Sequence, residues 1–381
     1  MAFKTKLKKL FKRIIPGLKA APGNIGQDKL FNDHDYFKQL MMTNKNGVIK
    51  ALETRYTLVN PDYIEAYINH IYNEHLDNPQ ATLYIESELG APQRQLNLVN
   101  QLNSNGYITK NKKCLDIGCN NGALVLACWK SGASGVMGID ISEKRLEKAK
   151  KFCQGKPIRI QNHNILENNI GETFDVILST DVMEHVPDPG KLFQQLYTHL
   201  NKNKDAFIYL SLFNKYHTNN ILSEPHFDIP GMILMPFAEA EELWHQVRED
   251  YKSKLDYEVY HWHSYWEYRQ MAEQTHLDMI PFQNDAIISA SIHTINNYKN
   301  ISEKFVTAFK EKLTASPIPP RYRDKINGYV NAYLEEFHKE HEDFLATGPR
   351  DADQQTKIKY LFLKYHAQPL MMICKHNQRV S

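Results

Sequence analysis

The sequence lacks what several function classes need. Its five cysteines (Cys114, Cys119, Cys128, Cys153 and Cys374) are odd in number and show no CxxC spacing. That pattern argues against both a disulfide framework and a cysteine zinc site, and it fits a reducing cytosol. No apolar run reaches the roughly 18 residues of a membrane span. No charge of one sign dominates either, with 46 Lys and Arg against 44 Asp and Glu and a net charge of +2. A globally basic nucleic-acid binder is therefore not indicated, and no nucleic acid is expected as a partner.

The small net charge hides an asymmetry. Lys4, Lys6, Lys8, Lys9, Lys12, Arg13 and Lys19 meet no acid within residues 1–20, so the remainder of the chain is net negative. Phe3, Leu7, Leu10, Phe11, Ile14 and Ile15 fall on one helical stripe among these lysines, and Pro16-Gly17 ends the pattern. A basic amphipathic helix over 1–18 suits an anionic membrane surface, each basic residue near it adding about 1 kcal/mol. A solvated tail, a helix docked on its own domain and a Lys-rich presequence fit the same residues. The expected location is cytoplasmic, with residues 1–18 able to reach the inner membrane face.

At 381 residues, 42% apolar and 24% charged, the chain has an ordinary globular composition and exceeds the usual single-domain length. Residues 19–105 read as a linker and helical region. From 106 the pattern alternates. Strands are expected at Cys114–Ile117, Gly135–Ile139, Ile158–Ile160, Phe174–Ser179 and Ala206–Leu212, with helices over 122–131, 142–154 and 190–200. This alternation predicts a parallel sheet covered by helices. A helix at 264–275 and a strand at 277–282 complete a domain over 106–290. Residues 291–365 read as a helical insertion, and 366–381 hold the last strand of the same sheet.

The chemistry concentrates at Lys113-Cys-Leu-Asp-Ile-Gly-Cys-Asn-Asn-Gly122. A strand runs through Asp116 into a turn bearing Gly118 and Gly122 and then into a helix. That arrangement brings backbone N–H groups close to a ligand. The second strand ends at Asp140, an acid placed to hydrogen-bond ribose hydroxyls; position and order favour this role over a simple N-cap of the helix beginning at Ser142. A dinucleotide fingerprint requires a middle glycine where this chain has Asn120. Asn tolerates left-handed angles, but its side chain hinders pyrophosphate approach, so a nucleoside without phosphates is favoured.

Three segments resemble the class I S-adenosylmethionine-dependent methyltransferases, of the small-molecule or glycan type close to methyltransferase types 11 and 12. They are Leu115-Asp-Ile-Gly-Cys-Asn-Asn-Gly122, Gly138-Ile-Asp-Ile-Ser142 and Phe174-Asp-Val-Ile-Leu-Ser-Thr-Asp-Val-Met-Glu-His-Val-Pro-Asp-Pro189. The resemblance implies a Rossmann-like seven-stranded α/β sheet, with a helical region before it and a helical insertion before its last strand. It implies S-adenosyl-L-methionine as cofactor. Asp116, Gly118, Cys119, Asn120 and Gly122 would surround its methionine end, Asp140 its ribose, and Ile141, Asn164 and Ile165 its adenine. Thr180 and Asp181 would face the sulfonium and the acceptor.

For the acceptor, His185 ranks first as general base and His226 second; His261 and His263 lie on the same edge. Glu184 and His185 could join His226 or His263 around a divalent cation, but the spacing is not diagnostic and no metal ligand is assigned. Aromatic residues after 213 suit either a stacking surface for a ring or the core of a lid. The run Glu224-Pro-His-Phe-Asp-Ile-Pro-Gly-Met232 resembles a segment of methyltransferases of surface polysaccharide and glycolipid synthesis. The expected reaction is O-methylation of a small-molecule, sugar, glycan or lipid-linked acceptor. A quinone-type O-methyltransferase and a non-catalytic binding scaffold are the alternatives.

Overall fold

The computed structural model describes residues 27–251, 256–282, 285–347 and 353–377. The basic segment 1–18 lies outside the described residues. The chain divides into two compact units, residues 1–94 and 95–381.

The described part of the first unit is helical: α1 (Gln27–Asn32), α2 (His34–Arg55), α3 (Pro61–His70), a turn of π-helix at Ile71–His75, and α4 (Ala81–Leu89). Where the sequence reads as linker and short helices, α2 extends for 22 residues, broken only at Asn44. Phe37, Met41, Val48, Ile49 and Leu52 form its buried stripe, interrupted by polar residues that conceal the period. Asp33 caps α2 by accepting from the Tyr36 N–H, and Asn60 caps α3 ahead of Pro61 at its first turn. Helix α5 (Ala91–Ser104) leads into the second unit.

That unit is built on β1 (Lys113–Ile117), α6 (Ala123–Lys130), β2 (Gly135–Asp140), α7 (Glu143–Phe152), β3 (Ile158–Asn162), β4 (Val176–Thr180), α8 (Pro189–His199) and β5 (Phe207–Leu212). Two small helices, α9 (Thr218–Leu222) and α10 (Phe237–Val247), precede α11 (Tyr265–Gln274) and β6 (Leu277–Pro281). Helices α12 (Asp285–Asn296), α13 (Tyr298–Ala315), α14 (Pro320–Thr347) and α15 (Asp353–Leu361) follow, and β7 (Leu370–His376) closes the sheet. The order is β3-β2-β1-β4-β5-β7-β6, parallel except for β7, which runs antiparallel to both neighbours. The Rossmann-like sheet of seven strands is thus present. One edge differs from expectation: Phe174 makes only an isolated bridge to Leu200, and β4 begins at Val176.

Alternate residues of the strands bury one face against α8 and α11. Leu115, Ile117, Ile177, Ile208 and Leu210 there meet Leu192, Phe193, Leu196, Tyr268 and Ala272. The stretch after β5 and the helices between β6 and β7 share a second core. In it Ile229, Trp244 and Val259 join Phe309, Tyr322, Ile326 and Phe337. The two insertions are therefore one body, although α11 and β6 separate them in the chain. Gly231 marks their contact. It holds a φ of +77°, and a Cβ there would lie 2.5 Å from Ile326 Cγ2.

Candidate active site

Strand order reverses between β1 and β4, so the carboxyl ends of β1, β2 and β4 open into one crevice. The loop after β1 turns tightly because both the Gly118 and Cys119 N–H groups donate to Ile139 O at 2.9 Å. Gly118, Asn120 and Gly122 all have positive φ (+70°, +47° and +80°), so Asn120 takes the left-handed form its side chain permits. Gly118 is also closely covered. A Cβ there would lie 2.5 Å from Val182 Cγ2, which seats the turn after β4 directly on this loop.

Asp140 locks the loop. Its Oδ2 accepts the Asn120 N–H at 3.0 Å and its Oδ1 the Ser142 N–H at 2.9 Å. The N-cap of α7 is Ser142, not Asp140. Asp116 is buried beneath, and burial first, then the charge of Asp140, holds its carboxyl well above the usual carboxylate range. Ile141, 71% exposed, offers an uncovered apolar face beside them. Asn164 Oδ1 accepts the Leu166 N–H and is committed to its own turn.

Two of the expected cofactor residues turn away from the crevice. The Cys119 side chain is buried close against Gly138, and burial pushes its thiol up. Ile165 belongs to the sheet core. Both side chains gain more from burial, and the Cys119 backbone is bonded within the turn, its N–H to Ile139 O and its carbonyl to the Gly122 N–H.

Across the crevice, Thr180 is half-buried and Asp181 exposed. Asp181 has a φ of +55°, and its carboxylate accepts from Ser211 Oγ at 3.1 Å. The short helix Met183–His185 follows. Here the fold gathers residues distant in sequence. Glu184 Oε1 lies 3.9 Å from both His185 Nε2 and His226 Nε2, and the two rings meet edge to face at 4.8 Å. His185 Nδ1 donates to the Glu258 carbonyl at 2.8 Å. His226 Nδ1 donates to Glu224 Oε1 at 2.9 Å, while Glu224 Oε2 accepts the N–H groups of His226 and Phe227. Both Nε2 atoms therefore face Glu184. Phe213 and Trp262 flank His226, with ring centroids at 5.8 and 5.4 Å.

Glu184 is 1% exposed, and neither of its carboxylate oxygens has a hydrogen-bond partner. Burial lifts its pKa to about 7. Burial also lowers His185. For His226 burial pulls down, but the hydrogen bond and charge of Glu224, together with the charges of Glu184 and Asp181, raise it overall. His261 and His263 stand apart from this group. His261 Nε2 lies 3.3 Å from Pro187 O, and His263 lies 3.7 Å from Glu267 and packs on Tyr268. Sequence reasoning passed over Glu224, whose only signal was its position two residues before His226.

A family model described as a methyltransferase domain matches residues 91–281, half of the chain. The ubiquinone biosynthesis O-methyltransferase of Coxiella burnetii is 29% identical over 170 residues, spanning 40% of this chain and 63% of that protein. That of Pseudomonas fluorescens is 30% identical over 120 residues, spanning 28% and 51%. The matched stretch is thus less than two thirds of these relatives' own length. Among solved structures, a Rickettsia typhi protein titled PKMT2, in complex with AdoHcy, is 15% identical with a TM-score of 0.42, covering 74% of this chain and 54% of that one. An S-adenosylmethionine-dependent methyltransferase of Mesorhizobium loti is 17% identical with a TM-score of 0.38, covering 52% and 92%. With its seven-stranded sheet and its crevice loop, the chain belongs to the methyltransferase-domain family of class I S-adenosylmethionine-dependent methyltransferases.

Proposed function

We propose that the protein transfers the methyl group of S-adenosylmethionine to a hydroxyl oxygen of a ring-bearing acceptor. Asp116, Gly118 and Gly122 cradle the methionine end, Asp140 holds the ribose, and Ile141 covers the adenine, with Asn120, Asn164 and the backbone of Cys119 and Ile165 completing the wall. Thr180 and Asp181 face the sulfonium. The acceptor oxygen attacks the methyl carbon in line. The C–O bond forms as the C–S bond breaks, S-adenosylhomocysteine leaves, and the hydroxyl proton passes to the protein or to water. Catalysis is chiefly alignment and exclusion of water.

The observation that carries an oxygen acceptor is the Glu184–His185–His226 group. It holds two imidazole Nε2 atoms, that of His185 on the turn that packs against Gly118 and that of His226 brought beside it from the segment after β5. The aromatic walls Phe213 and Trp262 suit a planar ring, and the O-methyltransferase names of the relatives support a quinone-precursor phenol. A sugar, glycan or lipid-linked acceptor is the second reading, supported by the Glu224–Met232 segment, since the same aromatic faces can stack on a sugar ring.

The test offers methyl-labelled cofactor with two acceptor panels, prenylated dihydroxybenzenes and lipid-linked sugars, and reads products by mass spectrometry. Label in a phenolic methyl ether is expected. Label in a sugar ether selects the second reading, and label on nitrogen or carbon alone ends both. Residues 1–18 would bring the protein to an anionic inner membrane face where such acceptors reside. Flotation with phosphatidylglycerol vesicles should therefore fall on deleting 1–18 and at high salt; equal flotation of both forms would remove the membrane from this proposal.

A further inference from the structure

Glu184 presents an electrostatic problem that its neighbours do not solve. An ionised carboxylate 1% exposed with both oxygens unbonded is strongly unfavourable, so Glu184 must either take up a proton or meet a cation. The nearest candidates are His185 and His226, yet at 3.9 Å neither imidazole hydrogen-bonds to it. A proton on either Nε2 would leave the oxygens as unpartnered as before. The tautomers are also set against it. Each Nδ1 donates outward, to the Glu258 carbonyl and to the Glu224 carboxylate, so each Nε2 presents a lone pair toward Glu184. With Glu184 ionised and both imidazoles neutral, three electron-pair donors converge with no donor hydrogen among them.

We propose that Glu184, His185 and His226 bind a divalent transition-metal ion of the zinc type, with an open coordination position toward the acceptor. Their ligand atoms all lie within 4.8 Å of one another. Tetrahedral ligands at bonds of about 2.1 Å stand about 3.4 Å apart, a contraction within reach of small side-chain rotations. The outer partners fit as well. A histidine ligand usually donates its other N–H to a carboxylate or a carbonyl, and here one does each. Glu224 is fixed in turn by two backbone N–H groups. One other trio among the described residues, His70, Glu74 and His75, has none of this support. It is largely exposed, and Glu74 is already paired with His70 at 3.0 Å. The ion's role rests on the methyl-transfer reading: an acceptor hydroxyl in the open position would bind as its alkoxide or phenolate, the proton passing to solvent. Binding of the ion does not rest on that reading.

The test uses full-length, untagged protein stripped with chelator and titrated with Co2+, a spectroscopically visible stand-in for Zn2+. Binding of a single equivalent, with visible absorption abolished by Zn2+ competition, is expected. Glu184→Gln and His226→Asn should each weaken it about 100-fold or more, Glu224→Gln about 10–100-fold, and His261→Asn not at all. Metal-free Glu184→Gln should melt no lower than wild type, since it loses an unpaired buried charge; this separates ligation from damage to the fold. No stoichiometric binding by wild type, or binding that persists in Glu184→Gln and His226→Asn, overturns the proposal. Calorimetry of S-adenosylmethionine with stripped protein separates the two ideas. Cofactor binding without metal binding sinks the metal site alone, and metal binding without cofactor binding sinks only the methyl-transfer reading.

Discussion

Replacing Asp140 with alanine is expected to weaken S-adenosylmethionine binding about a thousand-fold, or ~4 kcal/mol. Two losses combine. The carboxylate accepts the Asn120 and Ser142 N–H groups, and so holds the left-handed turn in which Asn120 sits. Its remaining lone pairs are those assigned to the ribose hydroxyls, and hydrogen bonds to a charged acceptor are each worth about 1.5–3 kcal/mol. Asp140→Asn keeps the shape and one acceptor but turns an N–H group against a backbone N–H, so it should fall between. Calorimetry measures the affinities, and circular dichroism confirms that the variants fold. An alanine variant with wild-type affinity would remove Asp140 from the cofactor site.

Asp116→Asn should act in opposite directions on stability and on binding. The folded protein raises the Asp116 pKa, through burial and then through Asp140, so it holds this proton more tightly than the unfolded chain does. A raised acid pKa makes wild-type stability decline as pH rises from about 4, the unfolded value, until the folded-state pKa is passed. The neutral asparagine escapes that decline. Its advantage should be absent in acid and should grow with pH, reaching about 1 kcal/mol or more, roughly 2–4 °C in Tm. Cofactor affinity should move the other way, falling about 100-fold as the methionine ammonium loses its counter-ion. In wild type that ammonium favours the ionised carboxyl, so binding should release protons and tighten as pH rises. Thermal melts across pH, with calorimetry in buffers of different ionisation enthalpy, check both halves. An Asn variant less stable than wild type at neutral pH would show that the buried carboxylate makes bonds that offset its desolvation.

The turn after β1 and the acid that ends β2 were legible because their determinants are local. Gly118, Asn120 and Gly122 follow β1 directly, and Asp140 ends the next strand, so period and spacing suffice to bring them together. The orientation of Cys119 and Ile165 was less legible. Only packing against Gly138 and the sheet core reveals where their side chains turn. Helix α2 was missed because its apolar stripe is sparse and interrupted at Asn44.

The acceptor side depended on contacts between distant segments. His226 lies 41 positions beyond His185, and nothing in their spacing distinguishes it from His263 as the partner of Glu184. Likewise, the aromatic stretch after β5 and the helices before β7 read as separate insertions until Trp244 and Phe337 are found in one core. The sequence by itself determined the alternating sheet, the turn at Asp116–Gly122 and the family, since each is written in neighbouring residues and fixed periods. Only the tertiary structure decided which histidines meet, how Glu258 and Glu224 orient them, and that Glu184 is left buried without a hydrogen bond. Those properties arise from long-range packing, which local periodicity does not encode.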